Sequence, residues 1–134
     1  MTKLVKIEGI GKEYAQKLEA VGISSIEKLL DAGCTPKGRK DLAGKTGLSS
    51  KLILKWVNRA DMTRVKGIGE EYADLLELAG VDTVPELARR KAANLRETMA
   101  QLNEAKKLVR RLPPESVVDT WVQLAKGLPR KVTY

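Results

Sequence analysis

Histidine and phenylalanine are absent from the 134 residues, and cysteine occurs once, at Cys34. Without histidine the chain lacks the commonest general base at neutral pH and the commonest transition-metal ligand. A single cysteine excludes an internal disulfide and fits a reducing, cytoplasmic compartment; ahead of Thr35-Pro36 it reads as a buried or incidental thiol rather than a nucleophile. Aromatic residues make up 4% of the chain, so a core has to be built from Leu, Val, Ile and Ala. No apolar run approaches the ~20 residues of a membrane span, and the mixed polar sequence after Met1 carries no signal-peptide pattern. No metal-ligand spacing is present. Gly-Lys-Thr at 44–46 has Arg39 where a nucleotide-binding loop needs its first glycine. These absences argue against an enzyme and imply neither a cofactor nor a metal.

The chain does have charge and helical periodicity. Its formal charge is +8. Residues 1–62 carry 12 basic and 7 acidic side chains, and residues 63–134 carry 13 and 10. A basic balance favours an anionic partner, nucleic acid above all, although solubility alone accounts for charges of this size. Apolar residues, 43% of the chain, recur at helical spacing, so the expected fold class is all-α.

A repeat organises the chain. Residues 7–23 read IEGIGKEYAQKLEAVGI, and residues 65–81 read VKGIGEEYADLLELAGV, an offset of 58. Gly9, Ile10, Gly11, Tyr14, Ala15, Leu18 and Gly22 meet Gly67, Ile68, Gly69, Tyr72, Ala73, Leu76 and Gly80. Ile10, Tyr14 and Leu18 share one helix face, as do Ile68, Tyr72 and Leu76, and these trios are expected to point inward. A second echo, LKWVNRA at 54–60 and DTWVQLA at 119–125, is offset by 65. The second unit therefore holds seven extra residues before its Trp-Val helix. Leu95, Met99, Leu102, Ala105, Val109 and Leu112 form a stripe, which predicts one long helix over 94–112, stopped by Pro113-Pro114.

The patterns predict helices near 12–20, 25–31, 38–45, 50–60, 70–78, 84–91, 94–112 and 117–126. Ser24 and Asp82-Thr83 are expected as N-caps, and Ser116 with Asp119 as a weak capping box. Gly22 and Gly80 fall where a helix end calls for positive φ. The expected division is a first unit at 1–62, a second at 63–127 and an extended tail at 128–134. Trp56 and Trp121, at matching places among apolar neighbours, read as core rather than as stacking platforms for bases. Tyr14 and Tyr72 read as core residues with their hydroxyls near the surface.

The pattern apolar-x-Gly-Ile-Gly-x-x-Tyr-Ala-x-x-Leu resembles the helix-hairpin-helix superfamily. The variant it resembles occurs in recombinase N-terminal domains (a SAM-like fold) and in ligase and topoisomerase repeats. The whole chain resembles a bacterial family of tandem helix-hairpin-helix proteins of unknown function. The resemblance implies two tandem helix-hairpin-helix units in one compact body. It also implies phosphate contacts at Gly9, Ile10, Gly11 and Lys12, and at the matching Gly67, Ile68 and Gly69. The physical basis is a bare glycine backbone leading into a helix N-terminus, where unpaired N–H groups and the positive dipole end favour an anion. No base edge is read there, so binding would be independent of sequence.

The second unit departs from this pattern. Glu70 replaces Lys12, and residues 70–82 carry five acids and no base, so its hairpin reads as the more structural of the two. Basic charge gathers elsewhere. Residues 34–59 hold seven cations, including Lys37, Arg39 and Lys40, against Asp41. Residues 89–111 hold eight, including Lys106, Lys107, Arg110 and Arg111, against two acids. On a continuous helix Lys106/Arg110 and Lys107/Arg111 would be mutually repelling i, i+4 pairs. A solvated helix face explains either cluster alone; two clusters at corresponding places in a repeat favour a nucleic-acid surface. Two readings follow. One is a non-catalytic module binding the phosphates of double-stranded DNA, or RNA, without sequence preference. The other is a protein-interaction or assembly module, with purely structural hairpins and the 94–112 helix as the surface for a partner or a homodimer.

Overall fold

The computed structural model describes residues 2–7 and 9–134; Met1 and Glu8, the latter inside the first repeat, lie outside the described residues. Every regular element among them is helical. A 3-10 turn at Leu4–Lys6 precedes α1 (Lys12–Glu19), α2 (Ile26–Gly33), α3 (Pro36–Thr46) and α4 (Ser50–Met62). Then follow α5 (Glu70–Leu78), α6 (Val84–Ala88), α7 (Ala92–Lys106) and α8 (Glu115–Gly127). The protein is all-α, and none of these helices is long and apolar enough to cross a membrane.

Packing divides the chain into Met1–Asp61 with Arg130–Tyr134, and Met62–Pro129. In the first unit Leu18, Leu29, Ile53, Trp56 and Val57 are fully buried, with Ile7, Ile10 and Ala15 around them. In the second, Leu75, Leu76, Leu87, Leu95, Met99 and Trp121 play the same part. Each buried Leu, Ile or Met side chain is worth roughly 1.5–3 kcal/mol of transfer free energy. α2 packs on α3 in the first unit, and α8 packs on α6 and α7 in the second.

The sequence repeat is a repeat of backbone hydrogen bonds. Ile10 N donates to Ile7 O at 3.0 Å and Ile68 N to Val65 O at 3.2 Å. Ile23 N donates back to Leu18 O at 2.9 Å and Val81 N to Leu76 O at 2.8 Å. Gly22 and Gly80, with φ of 90° and 89°, make those helix endings possible.

Local chemistry moved several caps. Ser25, not Ser24, caps α2 by accepting from Lys28 N, and Thr83 caps α6 by accepting from Glu86 N. Thr83 also donates to Glu86 Oε1 at 2.9 Å. α8 starts at Glu115 after Pro114, ahead of the expected Ser116–Asp119 box, and has no side-chain cap. Ahead of α1, Thr2 donates through its N–H and hydroxyl to the Glu27 carboxylate. These bonds, the hydroxyl's foremost, hold the Glu27 carboxyl below its ordinary range.

The long helix expected over 94–112 ends at Lys106. Lys107 adopts the left-handed conformation (φ 51°), and its N–H closes on Asn103 O at 2.7 Å. The Asn103 side chain then clamps Val109 from both sides, accepting its N–H at 2.9 Å and donating to its carbonyl at 3.1 Å. The extra residues of the second unit are therefore shared between a longer helix, 15 residues against 11 in α3, and a longer connector at 107–114. The apolar stripe survives the break: Leu95, Met99 and Val109 are buried in the second unit's core, with Leu102 and Leu112 packed on it, while Ala105 is exposed.

Candidate nucleic-acid interface

The two glycines of each Gly-Ile-Gly have different reasons to be glycine. Gly9 and Gly67 sit at φ 92° and 98°, the left-handed side that L residues avoid. Gly11 and Gly69 do not: their φ of −85° and −88° suit any residue, and a Cβ on either would meet nothing within 4 Å. Each is the N-cap of the helix that follows. Ser25, Thr35 and Thr83 cap their helices with a hydroxyl, and Ser49 Oγ accepts from Leu52 N at the head of α4. α1 and α5 have no side-chain cap. The first backbone bonds of α1 and α5 are Ala15 N to Gly11 O and Ala73 N to Gly69 O. The N–H groups of Gly11, Lys12, Glu13 and Tyr14 therefore have no hydrogen-bond partner among the described residues, and neither do those of Gly69, Glu70, Glu71 and Tyr72. Bare, exposed glycines leave these donors open to an anion from outside.

The other residues of interest divide between surface and core. Ile10 and Ile68 are core residues, and their N–H groups are spent within the turn, so neither residue offers a donor. Lys12 is exposed at the head of α1, beside a shallow groove of about 340 Å³ whose rim includes Lys3, Gln16 and Ser24. Lys37 and Lys40 are exposed on α3. Arg39 is not: it is 5% exposed, with Nη1 donating to Gly33 O at 2.9 Å and Nη2 to Thr133 O at 2.6 Å. Arg59, counted in the same basic cluster, is also buried. One sequence cluster thus loses its two arginines to the interior.

Lys106, Lys107, Arg110 and Arg111 are all exposed. Lys107, Arg110 and Arg111 lie in the 107–114 connector, so they are not i, i+4 partners on a helix. The connector returns to the head of α5, where the Tyr72 hydroxyl donates to Arg111 O at 3.0 Å. The second hairpin has acids in its own first turn, but folding brings the backbone of a basic connector to it. Linear charge counting misses this; the Asn103 clamp that shapes the connector leaves no periodic signal.

Sequence reading also missed the brace beneath each hairpin. A Cβ on Gly9 would stand 3.5 Å from Trp56 Nε1, and one on Gly67 only 2.9 Å from Trp121 Nε1. Tyr14 packs on Trp56 at 5.1 Å between ring centroids and 58° between planes; Tyr72 packs on Trp121 at 5.2 Å and 53°. The tilted rings are in a favourable aromatic geometry. The tryptophans, core residues as expected, hold the hairpin turns from below, and the recurrence of a Gly-Ile-Gly-x-x-Tyr turn and a later Trp-Val pair in both units was the available clue.

Two helical units, each with a helix that lacks a side-chain cap and opens on a glycine turn seated on a tryptophan, define an all-α repeat protein. A family model described as "Domain of unknown function (DUF4332)" matches residues 8–128, and the chain belongs to that family. No curated protein matches the chain. No solved structure matches it either.

Proposed function

We propose that this is a non-catalytic, cytoplasmic nucleic-acid-binding protein of the helix-hairpin-helix type, holding phosphates of double-stranded DNA without reading sequence. The observation that carries the reading is the pair Gly11 and Gly69. The fold gives neither a steric nor a dihedral reason to be glycine, and a Ser or Asp there would cap its own helix. A bare N-cap instead keeps four orphan N–H groups approachable, with exposed Lys12 among them in the first unit. Lys37 and Lys40 in the first unit, and Lys106, Lys107, Arg110 and Arg111 in the second, add phosphate charge contacts. Most of the apolar stripe of 95–112 packs inside the second unit, which favours this reading over assembly through that stripe.

The test is fluorescence anisotropy with a labelled duplex of about 20 base pairs, titrated at low and near-physiological salt. Wild type is expected to bind, with affinity falling steeply as salt rises. Gly11→Asp/Lys12→Glu should keep its fold, since the Asp side chain has room and caps α1, but should lose most of the binding. Unchanged binding by the folded variant would reduce the first hairpin to a corner.

A further inference from the structure

Arg130–Tyr134 returns to the first unit as non-helical chain after the whole of the second. Val132 is 3% exposed, among the first unit's core residues. Thr133 N donates to Cys34 O at 2.8 Å, Lys131 pairs with Asp31 at 2.5 Å, and the Tyr134 hydroxyl donates to Asn58 Oδ1 at 2.8 Å. The Tyr134 ring lies 5.9 Å from Arg39 Cζ, on the same guanidinium that donates to Thr133 O. One of the two carbonyls that satisfy Arg39, and the aromatic ring beside it, thus belong to this strap.

A five-residue segment held by one buried side chain and a few polar contacts opens at lower cost than the helices packed in the core. When it opens, Arg39 loses the acceptor of Nη2, and donors stranded in that way are costly unless another acceptor takes them. A phosphate matches the guanidinium fork in geometry and in charge. Arg39 stands on α3 between Lys37 and Lys40, both exposed. We propose that Arg130–Tyr134 is a detachable strap that competes with nucleic-acid phosphate for Arg39. Docked, it withholds the arginine; released, it frees Arg39 Nη2 for a phosphate on the same helix that carries the exposed Lys37 and Lys40. This inference rests on the nucleic-acid reading above.

The experiment compares duplex binding by the full chain as wild type, Val132→Asn, and Val132→Asn/Arg39→Met. Thr133→Pro, which removes the N–H donated to Cys34 O at an exposed position, replaces Val132→Asn if the latter unfolds the first unit. Faster tryptic cleavage after Arg130 and Lys131 reports release, and far-UV circular dichroism reports the fold. Release should tighten binding several-fold and steepen the log–log salt dependence by about one unit, the share of one added phosphate contact. Arg39→Met should cancel both changes. Several results overturn the proposal: a strap that stays protected in both release variants, an affinity that does not rise on release, or a gain that survives Arg39→Met and so belongs to the strap's own cations. If wild type binds and release adds nothing, the strap proposal fails alone. If no form binds the duplex, the nucleic-acid reading fails with it.

Discussion

At Gly67 an added Cβ would stand 2.9 Å from Trp121 Nε1; at Gly9 the nearest atom, Trp56 Nε1, would be at 3.5 Å, an ordinary contact. Both positions have left-handed dihedrals, so Gly9→Ala should cost about 1–2 kcal/mol from backbone strain alone. Gly67→Ala adds a clash with a buried ring and should cost about 2–4 kcal/mol in all. Urea melts followed by tryptophan fluorescence would show the difference, and equal losses would mean that the Trp121 ring moves aside freely. Gly11 obeys a different rule: its backbone is ordinary and its surroundings are open, so the protein's own stability tolerates a side chain there. Gly9 and Gly11 look alike in the sequence, and only their dihedrals and neighbours separate a structural glycine from a candidate binding one.

α7 and its connector show how one residue ends an element. The stripe from Leu95 to Leu112 has helical periodicity, and its members are buried or half-buried except Ala105, but a left-handed Lys107 and the Asn103 clamp carry the chain out of the helix between them. Lysine is a poor choice for that conformation. Lys107→Gly should raise stability by about 0.5–1 kcal/mol by removing the left-handed penalty. On the nucleic-acid reading it should also reduce the salt slope of duplex binding by about one unit, since one cation leaves the connector. A thermal melt and the same anisotropy titration read the two effects separately. A fall in stability would mean that the Lys107 stem packs on the unit. The capped helices α2, α3 and α6 contrast with α1 and α5: where a Ser or Thr occupies the N-cap its hydroxyl accepts one of the first-turn N–H groups, and where Gly does no side chain accepts any.

For the whole chain, the discontinuous first unit matters most. It is completed by Arg130–Tyr134, which the ribosome makes after every residue of the second unit. Val132→Ala removes buried volume from that closure and should destabilise the first unit by about 2 kcal/mol. Hydrogen exchange should show the loss in the amides of α2, α3 and α4, with those of α7 and α8 unchanged. Equal loss in both units would show that they unfold as a single cooperative body. The second unit, continuous from Met62 to Pro129, closes without the strap.

The sequence by itself determined the all-α class, the position of most of the helices and the repeat, because apolar spacing and glycine-marked turns are local and the same signals occur twice. The two Gly-Ile-Gly turns and the isoleucine and leucine of each inward-facing trio were legible for the same reason, whereas Tyr14, expected in the core, is 37% exposed. Tertiary structure decided which charges remain on the surface. Arg39 and Arg59 count as cations in any window of sequence, yet packing takes both inside, and Arg39 finds one of its two acceptors 94 residues away at Thr133. It also decided that a basic connector returns to an acidic hairpin through Tyr72 and Arg111, and that the tail expected at 128–134 divides after Pro129. Periodicity records which face of an element is apolar. It holds no record of contacts between residues far apart in the chain, and burial of charge, connector placement and strap docking all depend on such contacts.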